Sequence, residues 1–146
     1  MQLRRYRRAV LAVISVVAVV AVVVTQRHAT KMGPTLHLKG PVYEFYAARS
    51  GVQCEMAYGG WTHRGWTYCQ TTAGAGRSVK LQSTGQYQVC DGQNCLGNPG
   101  IGTPTIAAGT TLVLGSFSCF VATNGTKCNT YGDRGFQMTP SGVAQG

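Results

Sequence analysis

Gly115-Ser116-Phe117-Ser118-Cys119-Phe120-Val121-Ala122-Thr123-Asn124-Gly125-Thr126-Lys127-Cys128 reads as a β-hairpin closed by its own disulfide. Directly opposed residues of an antiparallel pair bring their Cβ atoms within disulfide reach only in the correct register. Cys119 faces Cys128 if the loop is Ala122-Thr123-Asn124-Gly125, four residues built around a type I turn. A two-residue Asn124-Gly125 loop would instead set Cys119 opposite Thr130, so the bridge predicts the longer loop.

The same local logic extends to the other cysteines. Cys54 with Cys69 and Cys90 with Cys95 each flank a plausible turn, and sequence-local pairing is expected among the 15 arrangements that six cysteines allow. The spacings C-x14-C, C-x4-C and C-x8-C lack the close ligand doublets of a zinc site, so no metal and no cofactor is expected. Around the cysteines, short alternating runs dominate: Val42-Tyr43-Glu44-Phe45-Tyr46, Val52-Gln53-Cys54-Glu55-Met56, Ser78-Val79-Lys80-Leu81-Gln82, Tyr87-Gln88-Val89-Cys90 and Thr111-Leu112-Val113-Leu114. A period of two means strands with one wet face. Turn-like stretches such as Gly59-Gly60, Gly74-Ala75-Gly76 and Gly97-Asn98-Pro99-Gly100 separate them, and no helical periodicity is sustained after the first thirty residues. The expected fold is mostly β: a small disulfide-stapled antiparallel sandwich or open barrel, preceded by one N-terminal transmembrane or signal helix.

That N-terminal helix rests on Ala9 to Val24, which contains only Ala, Val, Leu, Ile and Ser15. Arg4, Arg5, Arg7 and Arg8 before it hold the N-terminus in the cytoplasm by the positive-inside bias, so the chain beyond Val24 is translocated. Sixteen residues at about 1.5 Å each cover roughly 24 Å of a hydrocarbon core near 30 Å, and snorkelling Arg8 and Arg27 can supply the difference. The junction from Val22 to Ala29 has no pair of small residues at −3 and −1, so a retained anchor is expected, with secretion after cleavage as the alternative. The resulting organisation is a cytoplasmic basic segment at 1–8, a transmembrane signal anchor at 9–25, a tether at 26–40, a cysteine-rich ectodomain at 41–140 and a tail at 141–146. Export agrees with the even cysteine count, since disulfides persist in oxidising compartments.

The formal charge of +9 belongs largely to the leader. From Thr30 onward eight Lys or Arg stand against Glu44, Glu55, Asp91 and Asp133, which leaves +4 with no dense basic run, and no nucleic-acid partner is expected.

Cys69-Gln70-Thr71-Thr72, Cys95-Leu96-Gly97-Asn98-Pro99-Gly100 with Thr103-Pro104-Thr105, Gly115 to Cys119, Gly125-Thr126-Lys127-Cys128 and Gly135-Phe136 form a further pattern. From about Phe45 to Thr139 it resembles a family of small cysteine-rich exported or membrane-anchored mycobacterial and actinobacterial proteins with no assigned activity. The elements around Cys95 and Cys119 are its most specific parts. The chain departs from it at Met138-Thr139-Pro140, where relatives end on Ile-Ser-Arg. The resemblance implies export and disulfides, and supplies no active site.

An enzyme needs a base, nucleophile or metal in mutual reach, and the domain offers His63, four carboxylates and ordinary hydroxyls. No catalytic residue is assigned. The enzymatic alternative is a small envelope hydrolase using Glu44, Glu55 or His63, with the two glutamates meeting across the first hairpin as a glycosidase-like acid pair. Gly74-Ala75-Gly76-Arg77-Ser78 lacks the spacing of a phosphate loop, and Asn124-Gly125-Thr126 reads as a turn rather than a glycosylation site. The stretch from Tyr58 to Tyr68 carries the recognition chemistry, as a glycine-hinged loop with Trp61, His63, Arg64 and Trp66. Aromatic faces stack on sugar rings and Arg64 can grip a carboxylate or phosphate. The competing structural role packs Trp66 and Tyr68 in the core beside Cys69, which leaves Trp61 the better binding candidate. The expected function is a non-enzymatic, membrane-anchored envelope module that contacts a protein partner or a cell-wall glycan; a purely structural surface module is a third reading.

Overall fold

The structure is a computed structural model, and it describes residues 33–60 and 64–146. The basic segment, the hydrophobic segment, most of the tether, and Trp61 with His63 lie outside those residues. Among the described residues no helix is long and apolar enough to cross a membrane.

Twelve strands form among the described residues, most of them on alternating apolar and polar runs: β1 (Thr35–His37), β2 (Val42–Ala47), β3 (Val52–Gly59), β4 (Arg64–Thr71), β5 (Arg77–Gln82), β6 (Tyr87–Asp91), β7 (Thr105–Ile106), β8 (Thr111–Leu114), β9 (Phe117–Ala122), β10 (Gly125–Asn129), β11 (Gly135–Thr139) and β12 (Gly142–Gln145). The first sheet has the order β1-β8-β9-β10-β11-β12 and the second β6-β5-β4-β3-β2-β7. Two six-stranded sheets, neither closed into a barrel, share one apolar interior. Phe45, Met56, Val79 and Leu81 enter it from the second sheet, and Leu112, Phe117, Val121, Phe136 and Met138 from the first.

All three expected bridges are present: Cys54–Cys69, Cys90–Cys95 and Cys119–Cys128. The first joins opposed residues of β3 and β4, and the third joins opposed residues of β9 and β10. Each of these two staples neighbouring strands of one sheet. Their sulfurs meet in the middle of the core, with Cys69 Sγ 3.9 Å from Cys128 Sγ.

Several expectations need correction. The Cys119–Cys128 register is as predicted, but Ala122 pairs with Gly125, so the turn is Thr123-Asn124 rather than four residues. The sheets are antiparallel except at two edges, where β1 runs parallel to β8 and β7 parallel to β2. Residues 35–37, expected in the tether, form β1, and residues 142–145, expected in the tail, form β12 on β11. Both are short strands that complete the hydrogen bonding of a sheet edge. The recognition loop is also shorter than expected, because Arg64 to Thr71 is strand β4.

Candidate functional site

Period two divides β4 cleanly. Thr67, Cys69 and Thr71 are buried on the inner side, so Trp66, Tyr68 and Gln70 occupy the outer face of the second sheet. Trp66 therefore does not pack with the Cys69 bridge. It is half-buried, beside Ala57 on β3 and Gln82 on β5. Lys80, opposite Tyr68 on β5, reaches diagonally across so that its Nζ lies 4.7 Å from the Trp66 ring centroid, a cation–π contact. Tyr58, Arg64, Trp66, Lys80, Gln82 and Thr84 line an open groove of about 670 Å³ at this end of the sheet. Of the four residues expected in a recognition site, Arg64 and Trp66 thus share one groove, while Trp61 and His63 lie outside the described residues.

A strap crosses the same outer face. After β6 the chain makes a single 3-10 turn at Gln93–Cys95, closed by the Cys90–Cys95 bridge, and then runs over the sheet to β7. Its backbone is held by outward-facing side chains. The Tyr68 hydroxyl donates to the Cys95 carbonyl at 2.6 Å. The Gln70 amide accepts from Gly97 N–H at 2.6 Å and donates to Gly97 C=O at 3.0 Å, and it also donates to Gln53. Glu44 Oε2 accepts from Gly100 N–H at 2.9 Å and stands 3.0 Å from the Thr103 hydroxyl. A second groove of about 650 Å³ beside the strap is lined by Tyr46, Gln53, Gln70, Leu96 and Asn98 among others.

Glu44 and Glu55 are directly opposed on β2 and β3, so the acid pair does meet across the first hairpin. Partial burial raises the Glu55 carboxyl above its ordinary value, the neighbouring Glu44 charge raises it further, and Lys80 opposes both. Glu44 is already engaged as the acceptor that pins the strap.

The sulfurs of Cys54, Cys69 and Cys128 all lie within 4.8 Å of one another. Each is in a disulfide, which lacks the thiolate charge that binds zinc. Lys80 is the member of the groove that the sequence did not reveal. Its approach to Trp66 depends on the β4–β5 register, which could be inferred only once β4 was recognised as a strand.

Comparison of the chain with protein-family models, with curated proteins and with solved structures finds no match.

Proposed function

We propose that the chain is an exported envelope protein, anchored in the cell membrane through residues 9–25 with its N-terminus in the cytoplasm, or secreted after cleavage of that segment. Its β domain is a non-enzymatic binding module for a protein partner or a cell-wall glycan. The observation that carries this reading is the groove in which Arg64, Lys80 and the half-buried Trp66 converge on one open sheet face. Three disulfides in a domain of this size also suit an oxidising compartment. The groove combines an apolar ring with two cations, a pairing that recognises polar surfaces through stacking and charge-assisted hydrogen bonds.

The test is retention of the protein on purified envelope material. Trp66→Ala and Arg64→Gln should each lower retention about tenfold with the β-sheet circular dichroism unchanged, the loss expected of one stacking or charged contact. Unchanged retention by folded variants would remove the groove as the binding site.

The hydrolase reading keeps one specific observation, the facing Glu44 and Glu55 with the Glu55 carboxyl raised. It requires that Glu55→Gln abolish a glycosidase activity measurable on envelope polysaccharide. Absence of turnover by the wild-type chain would dismiss it.

A further inference from the structure

We infer that the groove takes an acidic polysaccharide, a glycan bearing carboxylates or phosphodiesters along its chain; this rests on the binding reading above and specifies its ligand. Four exposed cations collect at the groove end of the sandwich, each from a different segment. Arg64 opens β4, and Lys80 sits on β5 above Trp66. Lys39 lies two residues before Pro41, whose carbonyl accepts from Tyr58 N–H at 2.8 Å on the groove wall. Arg134, from the β10–β11 loop, lays its side chain against Gly85 in the turn that follows Ser83 and Thr84 on the groove rim.

The acidic residues are placed differently. Asp91 pairs with Arg77 at the opposite end of β5, and Glu44 is tied to the strap. Glu55 faces Lys80 across Tyr68, and Asp133 adjoins Arg134. With Glu44 directly opposite Glu55, three carboxylates stand against four cations, which still leaves the groove end positive. Between the charges lie the Trp66 ring, the Gln82 amide and the hydroxyls of Ser83 and Thr84, groups suited to sugar rings and their hydroxyls.

Gly33, where the described chain begins, lies against Gly109, and Gly109 N–H donates to the Val121 carbonyl near the β9–β10 turn. The groove lies at the other end, beside the Gly115 turn that packs on Tyr58. The cationic end is therefore the end of the described domain remote from Gly33, and what suits it to a glycan rather than to lipid headgroups is the Trp66 ring with the amide and hydroxyl groups set between the charges.

The experiment uses the full chain in detergent micelles and measures retention on immobilised polygalacturonate, an acidic glycan, against neutral dextran, at about 50 and 500 mM salt. The expected result is retention on polygalacturonate alone, lost at high salt because counterions screen exposed charges. Lys80→Gln should lower it about tenfold. Arg134→Gln, in an exposed loop whose side chain lies only along the Gly85 turn, should lower it by a smaller factor while leaving the fold intact. Equal, salt-insensitive retention on dextran that still requires Trp66 would overturn the acidic ligand and leave the binding module standing. Preference for anionic phospholipid vesicles over polygalacturonate would also overturn it. Retention on neither glycan nor on envelope material would sink the module itself.

Discussion

Removing the Cys54–Cys69 bridge by Cys54→Ala with Cys69→Ala should be far more damaging than removing Cys90–Cys95, because two separate losses coincide. The bridge spans 15 residues, and closing a loop of that size restricts the unfolded chain by about 3 kcal/mol. Both sulfurs are also fully buried against the opposite sheet, with Cys69 Sγ touching Cys128 Sγ, so each truncation removes packing worth about 1 kcal/mol. The sum, about 5 kcal/mol, approaches the whole stability of many small domains. The Cys90–Cys95 bridge spans 5 residues on the surface, where deletion should cost about 2 kcal/mol and leave no core cavity. Urea titration followed by circular dichroism reads the difference. With a slope of about 1.5 kcal/mol/M, the core deletion should shift the midpoint by roughly 3 M and the surface deletion by little more than 1 M. Equal shifts for the two deletions would refute the reasoning, since neither loop length nor burial would then be governing the contribution.

Further outcomes depend on particular side chains. The Thr67 and Thr126 hydroxyls are buried between the sheets without a hydrogen-bond partner, so Thr67→Val and Thr126→Val should each stabilise the domain by about 1 kcal/mol in the same titration; destabilisation by either would contradict that accounting. Burial, with the Glu44 charge, makes Glu55 bind its proton more tightly folded than unfolded, so its contribution to stability is greatest below the unfolded value and is lost as pH rises through the higher folded value; Glu55→Gln should flatten that decline in thermal melts taken as pH is raised from the ordinary glutamate range, and an unchanged slope would count against it. If a dithiol reduces Cys54–Cys69, the Cys69 thiolate lies beside Cys128 and can attack its sulfur, releasing Cys119 as thiolate. Peptide mapping after limited reduction and alkylation should then find a Cys69–Cys128 crosslink, and recovery of native pairs alone would exclude the exchange.

The sequence made the hairpins legible where two constraints met on the same residues. Cys119 and Cys128 had to oppose each other and the intervening residues had to turn, which determined the register although the ladder closed one pair further than expected. Glu44 and Glu55 were placed opposite one another by the same kind of reasoning. Strand β4 was harder to recognise. Its Arg64-Gly65-Trp66 start comes after Gly59-Gly60 and looks like a hinge, yet Gly65 is there because a Cβ would collide with the Ala57 carbonyl and the Phe117 ring. Strand β1 was invisible for another reason: Thr35, Leu36 and His37 are all exposed, and their conformation comes from pairing with β8 rather than from any alternation of their own. Arg64 and Trp66 were singled out by residue type and turn out to line one groove, while Lys80 depended on a cross-strand diagonal that no local pattern encodes.

None of the three disulfides joins one sheet to the other. Under tension the two sheets can therefore part without breaking a covalent crosslink, while each stapled hairpin keeps its loop closed. The bridges span 15, 5 and 9 residues, 29 together, so they withhold roughly 100 Å of contour at about 3.4 Å per residue. Most of the chain from Gly33 onward remains free to extend. Under load the oxidised domain would lengthen by sheet separation first, and its closed loops would limit how far it could stretch.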